Sequence, residues 1–106
     1  MKSRIWIFFD LGIRGDYESL YQFLDARQAE ECGDNVATLI YEWKKDLATE
    51  PIKELDKAVE FDKRSRVYAV FPKDSRFTGR FLKGKRKRPP WTGFAASASQ
   101  EDIADE

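Results

Sequence analysis

Seven cations fall between residues 76 and 94: Arg76, Arg80, Lys83, Lys85, Arg86, Lys87 and Arg88, with no acid among them. Phe77, Phe81, Trp91 and Phe94 are interleaved with these charges. The mixture suits single-stranded nucleic acid. Ammonium and guanidinium groups displace counterions from phosphates, while aromatic faces and arginine planes stack on bases. Gly79, Gly84 and Gly93 leave the backbone free to follow a strand, and Pro89-Pro90 stiffens the chain so that Trp91 projects from a defined position. The phosphate contacts are assigned to the seven cations and stacking to Trp91. No base-reading helix accompanies them, so sequence specificity is expected to be poor.

The same run admits other occupants. It could dock an acidic protein partner, with arginine and Trp91 as anchors, in a regulatory module of the antitoxin or defence-accessory kind. It could also be a solvated loop, an edge-strand guard, a nuclear-import signal, or a mate for the chain's own acidic tail, Glu101, Asp102, Asp105 and Glu106. Charge is segregated along the chain. Residues 1–75 carry −3, residues 76–94 carry +7 and residues 95–106 carry −4, which conceals itself in a net charge of zero. The expected organisation follows these boundaries: a core domain over 1–75, a basic aromatic arm over 76–94 with a short edge strand at Arg80–Leu82, and a flexible acidic tail over 95–106.

The chain has no histidine and one cysteine, Cys32. Imidazole-based acid–base chemistry, nucleophile activation by His, zinc sites and internal disulfides are therefore outside its repertoire. Cys32, flanked by acids, is expected to be a small buried hydrophobe. Asp10 is a second chemical candidate, because a carboxylate just after an apolar strand sits where α/β ligand sites gather. The alternative role for Asp10 is a loop cap accepting the N–H groups of Gly12 and Ile13. Asp16, Glu18, Glu30, Glu31 and Asp34 follow no calcium-loop spacing and read as capping or solvated groups. The loop Asp10-Leu11-Gly12-Ile13-Arg14-Gly15 has an acid where a phosphate loop has its first glycine, so it reads as a turn.

The elements that must position these groups read as β-α-β-α-β. RIWIFFDL is apolar on both faces and suits a central strand. Asp16 caps a helix with Tyr17, Leu20, Tyr21, Leu24 and Gln28 on one face, stopped by Gly33. NVATLIYEW is a second strand. Thr49 caps a helix over EPIKELDKAVEF, and RVYAVFPK is a third strand stopped by Pro72. The expected fold is α+β: a small two-layer, ferredoxin-like split β-α-β sandwich of three to four strands and two helices. A three-stranded parallel α/β sheet is the alternative. A sheet this small suggests a homodimer, and the lack of a long apolar run suggests a soluble, cytoplasmic protein with no membrane partner.

RIWIFFDLG, followed by a helix and then NVATLIYE, resembles the ferredoxin-like family of CRISPR spacer-acquisition proteins and virulence-associated ribonucleases. The resemblance implies a dimer in which Asp10, beside Phe9, meets its symmetry mate around a divalent metal for phosphodiester cleavage. The family's hairpin between the second and third strands has no counterpart in residues 44–60, which read as loop and helix. The residues by themselves favour a nonenzymatic nucleic-acid binder without a cofactor. Magnesium enters only with the nuclease reading.

Overall fold

A computed structural model describes residues 1–96, so the acidic tail from residue 97 onward lies outside the described residues. The elements follow as β1 (Lys2–Asp10), α1 (Tyr17–Ala26), β2 (Glu30–Gly33), β3 (Val36–Glu42), α2 (Glu50–Ala58), β4 (Arg66–Lys73) and β5 (Arg76–Lys83). The strands form one sheet in the order β2-β3-β1-β4-β5, and every neighbouring pair is antiparallel. The fold is α+β with five strands rather than three or four. The parallel-sheet alternative is overturned: β1 and β2 run the same way, as do β3 and β4, but each pair has a strand inserted between its members.

The edge strand expected at Arg80–Leu82 is present and longer, as β5, whereas β2 is the strand that no local signal marks. β2 is Glu-Glu-Cys-Gly, exposed throughout, so neither alternation nor β-branching marks it. It forms a hairpin with β3, Glu30 lying opposite Thr38 and Gly33 opposite Val36. A hairpin between the second and third strands is therefore present, over residues 30–42. Cys32, expected to be buried, is exposed on β2. β4 continues through Pro72 to Lys73 and turns into β5 at Asp74-Ser75. Both turn residues have positive φ (51° and 64°), the geometry whose twist matches antiparallel strands, achieved here without glycine. Pro72 does not stop the strand. The β1–β4 ladder ends at Val70, so the missing N–H is not needed on that side, and pairing to β5 persists.

Helix α1 begins as expected: the Asp16 carboxylate accepts the Ser19 N–H at 3.1 Å. It ends earlier than expected. Gln28 adopts φ 55° outside the helix, its N–H bonding to the Asp25 carbonyl while the Ala29 N–H bonds to the Leu24 carbonyl. That is a Schellman closure with glutamine at the left-handed position, and Gly33 plays no part in it. Thr49 makes no side-chain cap on α2. Instead Glu50 reaches back, its carboxylate accepting the N–H groups of Lys44, Lys45 and Asp46 at 2.6–2.8 Å. Those three bonds hold the Glu50 carboxyl below its ordinary pKa.

One face of the sheet carries the core. Ile5, Ile7 and Phe9 of β1, Leu39 and Tyr41 of β3, and Val67, Ala69 and Phe71 of β4 are buried together with Leu20, Phe23, Leu24 and Leu55 of the helices. The Asp16 carboxylate also accepts the Glu60 N–H at 3.0 Å, tying the start of α1 to the chain leaving α2.

Replacing Gln28 with Gly should relieve the left-handed strain and raise stability by about 0.5–1 kcal/mol, measured by urea unfolding. Glu50→Ala should lower Tm at neutral pH. The difference from wild type should shrink as pH falls through and below the ordinary glutamate range, because a depressed carboxyl contributes only while ionised.

Candidate nucleic-acid interface

Three loops meet at one end of the sheet. β1 ends there at Asp10, opposite Arg66 at the start of β4, and β5 ends there at Lys83, opposite Val67. Gly84 passes so close to the Ser65–Arg66 backbone that a Cβ on it would lie 2.7 Å from the Ser65 carbonyl oxygen. On the other side, residues 11–14 and 62–64 line a shallow concavity of about 710 Å³. Exposed Arg14, Lys63 and Arg64 lie on loops at the same end of the sheet from which exposed Lys85, Arg86, Lys87 and Arg88 depart. The sequence reading missed Arg14, Lys63 and Arg64, because they are scattered through a stretch whose charge sums to a slight negative.

Two acids at this end, Asp62 and Asp10, make local bonds. Asp62 Oδ1 accepts the Arg64 N–H at 2.8 Å and the Ser65 hydroxyl at 3.2 Å. Asp10 Oδ1 accepts the Gly12 N–H at 3.1 Å, and Oδ2 lies 3.8 Å from the Arg66 guanidinium. Asp10 therefore acts as the cap of its own loop, through Gly12, and as a partner for Arg66. No group of three or more metal-ligating side chains occurs among the described residues.

The seven cations of the basic run are divided. Arg76 stands at the β4–β5 turn, about 24 Å along the strand from Lys83 at ordinary strand rise. Arg80 is exposed opposite Ala69, on the edge strand. Lys83 is drawn onto α2, its ammonium 2.5 Å from Asp56 and 5.4 Å from the Phe61 ring centre. Lys85–Arg88 form an exposed stretch leaving the sheet, and Trp91 follows in a turn, 71% exposed. The Phe94 N–H bonds the Trp91 carbonyl and the Thr92 N–H that of Pro89, which fixes the turn but leaves the indole in solvent.

The face of the sheet away from the helices is the second feature. Phe8, Tyr68 and Phe81 occupy directly opposed positions on β1, β4 and β5. Their rings form a row of edge-to-face contacts, with centroids 6.3 Å and 4.9 Å apart. Trp6 and Phe77 make a further edge-to-face contact at 5.6 Å. The row depends on Gly79: a Cβ there would fall 2.3 Å from the Tyr68 hydroxyl oxygen. The Arg86 guanidinium carbon lies 5.6 Å from the Phe81 ring centre, which joins the basic stretch to the aromatic row.

A larger concavity of about 1030 Å³ opens beside the short β2, near Tyr41 and Trp43. Arg27 pairs there with Glu54 and Lys2 with Glu42, and Arg4, Glu30 and Lys44 also line it. Burial and the Glu54 carboxylate raise the Tyr41 phenol above its ordinary pKa, so it stays protonated. Nothing there converges as the basic end does.

Comparison with known protein families, with curated proteins and with solved structures finds no match to this chain. Gly79→Ala should displace Tyr68 and cost about 1–3 kcal/mol, with a change in the near-ultraviolet circular dichroism that reports the tyrosine environment.

Proposed function

We propose that this chain is a nonenzymatic binder of single-stranded nucleic acid, gripping phosphates at the basic end of the sheet. The observation that carries the reading is that Arg14, Lys63 and Arg64 and Lys85–Arg88, seven exposed cations from three separate segments, all leave the sheet at the same end. A run of four basic residues alone fits many roles. Further exposed cations on loops at the same end of the sheet favour a polyanion. Trp91, exposed just beyond the run, supplies a first stacking surface.

The scaffold reading is ferredoxin-like. Two β-α-β units, β1-α1-β2 and β3-α2-β4, interleave so that each contributes a strand between the other's two, and the order β2-β3-β1-β4 supports that assignment. The β5 strand is then an addition that carries the chain back to the basic end. A nuclease centred on Asp10 finds less support, since its carboxylate is committed to Gly12 and Arg66.

Fluorescence anisotropy of labelled oligo(U) and oligo(dT) over a salt series tests the reading. Each phosphate contact to a single strand contributes about 0.7 to the slope of log affinity against log salt. Changing Lys85, Arg86, Lys87 and Arg88 together to Ser should lower that slope by about 3, and Lys63→Ser with Arg64→Ser by about 1. Failure of the intact chain to bind either oligonucleotide at low salt would sink the proposal and turn the basic end towards an acidic protein partner.

A further inference from the structure

We infer that the helix-free face of the sheet is a base-stacking platform, on which bases of a single strand lie over Phe8, Tyr68 and Phe81 and continue towards Trp6 and Phe77. The inference rests on the nucleic-acid reading and extends it from phosphates to bases.

Four observations point the same way. First, this face is uncovered among the described residues. Phe8 is 40% exposed on β1, whose opposite side chains Ile5, Ile7 and Phe9 are buried in the core, and Phe77 is 66% exposed on β5. Second, the row Phe8–Tyr68–Phe81 crosses three strands in register, spanning roughly 10 Å at ordinary strand spacing. Aromatic side chains on an exposed antiparallel sheet are a known means of stacking two or three bases. Third, the row begins at the basic end. Arg86 lies over Phe81, so a strand held by Lys85–Arg88 has its bases beside the first ring. Fourth, charge on the face is asymmetric. On this face Lys2 pairs with Glu42 and Asp10 with Arg66; outside those pairs Arg86 lies over Phe81 at the β5 edge, and Glu30 stands on β2 at the opposite edge. A polyanion is thereby directed across β1, β4 and β5 and away from β2.

The occupant follows from this combination. An apolar protein surface laid on the face would have to desolvate Arg86 beside the row, whereas a strand of flat bases and phosphates meets the rings and that guanidinium group at once. A duplex presents no base faces to stack, so the platform selects single strands.

The test compares oligo(dT) with an abasic strand of the same length and phosphate count, by anisotropy, for the intact chain and for Phe8→Ala with Phe77→Ala. The intact chain should hold oligo(dT) at least about 5-fold more tightly than the abasic strand, and the double variant should reduce that ratio by a similar factor or more. Phe77→Ala alone, at a largely exposed side chain, gives the same readout if the double variant does not fold. Equal affinity of the intact chain for both strands would overturn the platform and leave the phosphate grip standing. So would an unchanged ratio in the variant. A dimer that dissociates in the variant by sedimentation while the ratio stays unchanged overturns it in favour of self-association. Loss of binding to every strand overturns both proposals together.

Discussion

The molecule is organised around a strand that is apolar on both sides while only one side is roofed. β1 lies at the centre of the sheet, and its Ile5, Ile7 and Phe9 enter the core beneath the helices. The alternate residues Trp6 and Phe8 must then face the other way. With ten-residue and nine-residue helices both assigned to one face, no element remains to cover the second among the described residues. Edge-to-face contacts among Trp6, Phe8, Tyr68, Phe77 and Phe81 bury part of that surface, and the rest meets solvent. An exposed aromatic face of this extent on a small domain has a physical meaning beyond packing.

The same central strand sets where the charges collect. In an antiparallel sheet the C-terminal end of β1 neighbours the start of β4 and the end of β5, so loops far apart in sequence emerge side by side. The bonds that hold these loops are short-range and acidic. Asp10 holds Gly12, Asp62 holds Arg64 and Ser65, and Asp16 ties the start of α1 to Glu60. These carboxylates keep their charge while bonded to N–H groups.

Glycine has a similar double part on β5. Gly79 gives up a side chain on an edge strand, which weakens the strand by itself. In return the Tyr68 ring lies where that side chain would be and completes the row from Phe8 to Phe81. Gly84, with φ 75°, allows the chain to pass close by Arg66 before Lys85–Arg88 leave the sheet. The backbone at these two positions shapes the surface more than the cations that made the segment conspicuous.

Much of this was legible in the sequence. The apolar run of β1, the alternation in β3 and β4, the Asp16 cap and the periodic stripe of α2 are local signals, strong enough to locate their elements without tertiary help. The lack of histidine bounded the chemistry, and the basic run announced itself. What the sequence could not determine depended on pairing. β2 has no intrinsic strand signal and exists because β3 offers it a ladder. Gln28 closes α1 in a left-handed conformation because the Ala29 N–H reaches the Leu24 carbonyl while both residues pack on the core. Lys83, one of seven similar cations by sequence, is separated from the rest by an aspartate on α2. The gathering of Arg14, Lys63 and Arg64, and the alignment of Phe8, Tyr68 and Phe81, are matters of register between strands some sixty residues apart. Register is fixed by which faces the whole sheet must bury, and that is a property only the tertiary structure holds.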